Sequence, residues 1–124
     1  MDIQTTLREL CAVFIAHDLD GIMSFFAEDC ILEMPRGNHP WGTRFEGAEA
    51  VRAGLATRFQ RLPDVHYADE EHFADPSADT GIARWLLTGM ASDGTRTEVR
   101  GCDFYTFRDG KVVRKNSYWK IVET

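Results

Sequence analysis

Apolar residues recur at helical spacing over the first half of the chain and at alternating spacing over the second. Ile3, Leu7, Leu10 and Phe14 stand four, three and four positions apart, which predicts an amphipathic helix over residues 2–17. Asp18 reads as the N-cap of a short second helix with Leu19, Ile22, Met23 and Phe26 on its apolar side. Residues 30–34 predict a short strand stopped by Pro35. Pro35, Gly37, Pro40 and Gly42 make residues 35–46 a loop. Its aromatic members, Trp41 and Phe45, suit a loop that packs over something. Gly47 precedes a third helix, with Val51, Leu55, Phe59 and Leu62 on its apolar face and Pro63-Asp64 as its stop.

The remainder predicts four strands, over 65–74, 81–91, 97–107 and 112–122. Asp75–Asp79, Ser92–Thr95 and Arg108–Gly110 supply the turns, the second through its Asp93-Gly94 pair and the third with Gly110 in a left-handed conformation. Helices first and a four-strand meander second indicate an α+β class.

Composition narrows the setting. The 124 residues are 44% hydrophobic, which suits one globular domain spanning 1–124. A chain of this size buries roughly two-thirds of its unfolded surface. No apolar run approaches the roughly 18 residues of a membrane span. The N-terminus lacks a basic start and an apolar signal segment, so a cytoplasmic location is expected. The net charge of −6 argues against nucleic acid, and no Lys/Arg cluster invites a membrane surface. Cys11, Cys30 and Cys102 match no zinc or redox motif and read as small buried hydrophobes. With no phosphate-cradling loop, Gly-x-Ser-x-Gly elbow or dinucleotide fingerprint, no cofactor is expected.

Three segments carry a family likeness. They are Phe26-Ala27-Glu28-Asp29, Gly47-Ala48-Glu49-Ala50-Val51 and the run from Gly101 to Val112. On these the chain resembles the nuclear transport factor 2-like (NTF2-like) superfamily over nearly its whole length, with the SnoaL-like group nearest. The resemblance implies a cone-shaped fold, with a curved mixed or antiparallel sheet wrapped around N-terminal helices and an internal pocket. Such a fold hosts isomerases, cyclases, hydrolases, dehydratases and non-enzymes. Asp103 falls at the place of the ketosteroid isomerases' oxyanion-hole aspartic acid, and Trp119 matches a pocket-lining tryptophan. Their general base is replaced by Met34, and their first-helix tyrosine has no counterpart in residues 2–17. The Asp-Arg-Asp triad of limonene epoxide hydrolases is also incomplete.

Strand register adds a second argument. A two-residue turn at Asp93-Gly94 sets Arg84 opposite Asp103 and Thr88 opposite Val99. A three-residue loop at 108–110 sets Lys115 opposite Asp103 and Trp119 opposite Val99. Directly opposed side chains share a face, so Arg84, Asp103 and Lys115 are expected to form a row. The resemblance implies that this face is the concave one, shared by Leu86, Thr88, Met90, Val99, Tyr105, Ser117 and Trp119. The other face, with Trp85, Leu87, Phe104, Val112 and Tyr118, would be a homodimer interface. One carboxylate between two cations leaves surplus positive charge, which suits a carboxylate, enolate or phenolate ligand clamped by Arg84.

The resulting expectation is an enzyme without cofactor. It would transfer a proton on, cyclise or hydrate a small hydrophobic, acidic or enolisable substrate. Asp103, Arg84 and Lys115 would be its catalytic groups. Tyr105, Trp119, Trp41, Met90, Leu86, Thr88, Val99, Ser117, Met34 and His39 would contact the ligand. The alternative is a non-catalytic binder of the same fold. The charged row also reads as a plain salt-bridge ladder, and His39 as a solvated loop histidine. His17 lies near the junction of the first two helices. His66 and His72, six apart with Glu70 between them, lie on a face that reads as exposed, so no metal site is assigned. The face of Glu33 stays open.

Overall fold

The computed structural model describes residues 2–123. An aspartate opens each of the first two helices. Asp2 accepts from the Gln4 amide and the Thr5 hydroxyl to cap α1, Ile3–Ile15. Asp18 accepts from the Gly21 amide to cap α2, Leu19–Met23. Strand β1, Phe26–Glu33, starts earlier than its hydrophobic run indicates, because Phe26 pairs with Val112 in parallel. The loop that follows returns as a short edge strand, β2, Arg44–Glu46, where its Pro and Gly residues run out. Helix α3, Ala48–Arg61, then lies close to β1 and β2. A Cβ on Gly54 would sit 2.9 Å from the Phe45 ring and 3.1 Å from Leu32.

The other strands are β3, His66–Asp75, β4, Thr80–Met90, β5, Arg96–Arg108, and β6, Lys111–Trp119, with a 3-10 turn at Pro76–Ala78. The last ends before Ile121 and Val122, which are exposed. The curved six-stranded sheet runs β2-β1-β6-β5-β4-β3, antiparallel except where β1 meets β6. Its inner face packs on the helices through a core that includes Leu7, Leu10, Phe14, Leu32, Leu55, Trp85, Leu87 and Val112. Among the described residues no helix is long and apolar enough to cross a membrane.

Both hairpins differ from their expected form. Between β4 and β5 the loop is three residues, Ser92-Asp93-Gly94. The Gly94 amide donates to Ala91 O, the Ala91 amide donates to Thr95 O, and Gly94 takes φ 86°. This slips the register by one, pairing Ala83 with Asp103 and Arg84 with Cys102. A one-residue slip exchanges the faces of a strand. Trp85 and Leu87, expected outside, are therefore core, while Arg84, Leu86, Thr88 and Met90 turn outward.

Between β5 and β6 the turn is two residues, Asp109 and Gly110, both at positive φ. A bulge beyond Phe107 adds one more step, so Asp103 pairs with Ser117 and Tyr105 with Lys115. Beyond the bulge the slip of two leaves the faces of Lys115 and Ser117 unchanged, whereas Val112, on the hairpin side of it and expected outside, turns into the core.

The outer face carries Phe104 and Tyr118, edge to face at 5.7 Å and both exposed. Glu33 also turns outward but is buried by its partners. Its carboxylate accepts from Arg44 Nε and Nη2 at 3.0 and 2.8 Å and from Arg114 Nη1 at 2.6 Å.

Candidate functional site

Three buried polar side chains of the inner sheet face meet at one point. Strand β5 turns Asp103 inward, and β6 turns Lys115 and Ser117 to meet it. Lys115 Nζ donates to Asp103 Oδ1 at 3.0 Å and lies 2.9 Å from Ser117 Oγ. The Ser117 hydroxyl donates to the same carboxylate oxygen, and Trp85 Nε1 donates to Oδ2 at 2.9 Å. Gly101, paired with Trp85 on β4, leaves the room that the indole needs. Lys115 Nζ also lies 5.4 Å from the Phe14 ring centre and 5.9 Å from that of Tyr105. Its ammonium is thus walled by aromatic faces that favour a cation.

Two small chambers, each about 20 Å³, flank this pair. Each has room for about one water. The first extends under α1 past Tyr105 to Cys11 and Glu70. The second runs past Lys115 and Ser117 to Leu55, Arg58, Met34 and Trp119. Phe14, Tyr67, Trp85 and Asp103 border both. Beyond the second lies a wide mouth of about 480 Å³ edged by Met34, Arg36, Arg58, Arg61 and Trp119.

Arg58 is the charged group at the junction of mouth and interior. Its guanidinium stacks on Trp119 at 4.6 Å and has no carboxylate partner among the described residues. Burial pulls its pKa below the ordinary arginine value, and the charge of Asp103 pushes the other way. The guanidinium nonetheless stays protonated, as arginine does throughout proteins. Tyr67 and Tyr105 are held neutral by burial, which raises both phenols above their usual range. Their hydroxyls can donate to a ligand.

The structure gathers Asp103, Lys115, Ser117, Tyr105, Trp119 and Met34 on these walls. Val99 shares the inner face but packs in the core away from both chambers. The others lie elsewhere. Arg84 is outside the cone, where its guanidinium pairs with Glu71 at 2.5 Å. Leu86, Thr88 and Met90 follow it through the same one-residue slip. Trp41 is exposed, stacked between His39 at 4.7 Å and the Arg44 guanidinium at 4.7 Å. His39 belongs to that outer stack, so neither closes the mouth.

Arg58, Tyr67, Glu70, Cys11 and Trp85 are wall residues that strand arithmetic does not find. For Arg58 a signal exists. Val51, Leu55, Arg58 and Leu62 stand four, three and four apart. A charge in that stripe faces the interior.

The SnoaL-like domain family matches residues 7–115 of this chain. An uncharacterized PhzA/B-like protein of Pseudomonas aeruginosa is 25% identical over 103 residues, 82% of this chain and 72% of that protein. A crystal structure of a candidate polyketide cyclase from Xanthomonas campestris pv. campestris superposes with a TM-score of 0.80 at 20% identity. It covers 92% of this chain and 87% of that one. TerC, co-crystallized with polyporic acid, superposes with a TM-score of 0.76 at 22% identity, over 92% and 88% of the two chains.

Proposed function

The chain belongs to the SnoaL-like domain family, on the fold of NTF2-like proteins, and from that premise we propose that it is an acid–base enzyme acting on a small, apolar, acidic or enolisable molecule. The reaction class is proton transfer, cyclisation or hydration. The observation that carries the reading is the unpaired Arg58 guanidinium beside the buried Asp103–Lys115 pair. The pair is internally neutral, so Arg58 leaves one positive charge in a partly dry, aromatic-walled space. Such a cation is stabilised by an anion, and its planar fork matches a carboxylate or enolate.

In this scheme Arg58 takes over the clamping role assigned from sequence to Arg84. The substrate's acidic group enters at the mouth and meets Arg58 over Trp119. It also attracts the Lys115 ammonium. As Lys115 turns toward the substrate, Asp103 Oδ1 loses a donor and can accept a proton. Trp85 and Ser117 keep the carboxylate in position meanwhile. Tyr67 and Tyr105 donate to oxygen atoms that gain charge. The chambers admit a ligand only as side chains at the mouth move, with Met34 and Trp119 the movable wall. A candidate polyketide cyclase and an acid-bound protein among the structural relatives suit this reading.

A second reading is a non-catalytic carrier of a hydrophobic acid. What favours it is that both Asp103 oxygens already accept from protein donors. Calorimetric titration with small aromatic carboxylates and their amides tests the shared part. The carboxylates should bind and the amides fail, and Arg58→Met should weaken binding by roughly tenfold or more, about 1.4 kcal/mol. Equal binding of acid and amide would sink the anion site. Deuterium exchange at the α-carbon of a bound keto acid separates the readings, since a carrier leaves that carbon unexchanged.

A further inference from the structure

At the far end of the first chamber three residues of different ligand chemistry converge. Cys11 Sγ, a Glu70 carboxylate oxygen and a His72 ring nitrogen all lie within 4.8 Å of one another. His72 Nε2 is 3.0 Å from Glu70 Oε2, and these two side chains are only 11% and 13% exposed. The sequence reading places Glu70 between His66 and His72 on one exposed face. The structure breaks that face with a bulge. The β3 register slips between Ala68 and Glu71, and Asp69 takes φ 52°. Before the bulge Tyr67 points in and His66 out. After it the phase is reversed, so Glu70 and His72 turn inward while Glu71 turns out to Arg84. Both inward groups then lie against α1, which presents Cys11. Bulges recur where a strand must re-aim a side chain at a site, and a non-glycine residue at positive φ is held there at a cost.

We propose that Cys11, Glu70 and His72 bind a divalent transition-metal ion of the zinc class. Thiolate, carboxylate and imidazole are the donor types such ions take, and the two negative donors neutralise the ion in a half-buried site. Tetrahedral coordination brings donor atoms to roughly 3.5 Å apart. The donor atoms, within 4.8 Å of one another, must close by about an ångström to reach that spacing. The ion takes the place of the thiol proton, which leaves to buffer. A fourth position faces the chamber lined by Cys11, Glu70, Tyr105 and Asp103, whose volume of about 20 Å³ fits one water. The ion and Asp103 would therefore border one space. The inference rests on the Cys11 cluster alone and stands whether or not Arg58 binds an acid.

Cobalt titration of chelator-treated protein tests it. One Co²⁺ per chain should bind, with a thiolate-to-cobalt charge-transfer band and the intense visible bands of a tetrahedral ion. Zn²⁺ should abolish both. Cys11→Ser should lose the charge-transfer band, and His72→Gln should weaken binding by at least about tenfold. His66→Gln and Arg58→Met should titrate like the parent, since Arg58 lines only the second chamber and the mouth. The Arg58 variant thus separates this site from the proposed reaction. A parent protein without the charge-transfer band, a band that persists in Cys11→Ser, or His72→Gln binding as tightly as the parent overturns the site.

Discussion

Replacing Asp103 with Asn tests the geometry at the centre of the sheet. Asp103 is 5% exposed and Lys115 is 7% exposed, with 3.0 Å between Oδ1 and Nζ. At an effective dielectric of about 20, that separation corresponds to an attraction of about 5 kcal/mol. Asparagine removes the charge and introduces a second fault. Three donors point at the two carboxylate oxygens: Trp85 Nε1, Ser117 Oγ and Lys115 Nζ. The amide has one acceptor oxygen, so its NH₂ must face at least one of those donors. With the NH₂ toward Lys115, the ammonium keeps only Ser117 Oγ and the Phe14 and Tyr105 ring faces; with it toward Trp85, the indole N–H is stranded. Breaking a buried pair in this way costs about 3–5 kcal/mol, against a total stability of about 5–15 kcal/mol.

Lys115→Met should cost less. The carboxylate then retains Trp85 and Ser117, and methionine refills the stem's space. The double variant Asp103→Asn/Lys115→Met should be more stable than Asp103→Asn alone, because no ammonium is stranded. Urea unfolding of the four proteins, read by tryptophan fluorescence and circular dichroism together, measures this cycle. A loss below about 1 kcal/mol for Asp103→Asn would refute the argument. So would a double variant less stable than that single one.

Gly101→Ala would place a methyl 2.4 Å from the Tyr118 carbonyl and 2.6 Å from the Trp85 ring. The carbonyl cannot yield, so Trp85 shifts from Asp103 at a cost of about 1–3 kcal/mol. Altered near-ultraviolet circular dichroism with a lowered Tm is expected, and an unchanged spectrum would contradict the packing. On the outer face, Phe104 and Tyr118 are expected to meet a second copy of the chain. Phe104→Glu should convert that dimer to a monomer in sedimentation velocity, and a parent that sediments as a monomer removes the interface.

The helices are legible in the sequence because a helical stripe needs no partner to reveal its face. Ile3, Leu7, Leu10 and Phe14 are buried together as their spacing requires. Strand faces are less legible, because each depends on whether the slip of its hairpin is odd or even. Ser92-Asp93-Gly94 and Asp109-Gly110 both contain Asp-Gly, yet one loop is three residues long and the other two. The first slip is odd, so Arg84 leaves the interior and Trp85 replaces it. The second is even, so Lys115 still reaches Asp103, from opposite Tyr105 rather than directly across. The bulge at Asp69 has neither Gly nor Pro to announce it, and it separates His66 from His72.

This parity bears directly on chemistry. With Arg84 excluded, the only charged side chains that β4, β5 and β6 place on the chamber walls are Asp103 and Lys115, and those two cancel. β3 adds Glu70 to the first chamber only, so the surplus positive charge of the second comes from a helix, through Arg58 in the apolar stripe of α3. A one-residue deletion in the Ser92–Gly94 loop would reverse the parity of that hairpin. It would drive Arg84 toward the core and expel Trp85, removing the donor that fixes Asp103 Oδ2. The length of this surface loop therefore constrains the interior as strongly as the identity of the residues within it.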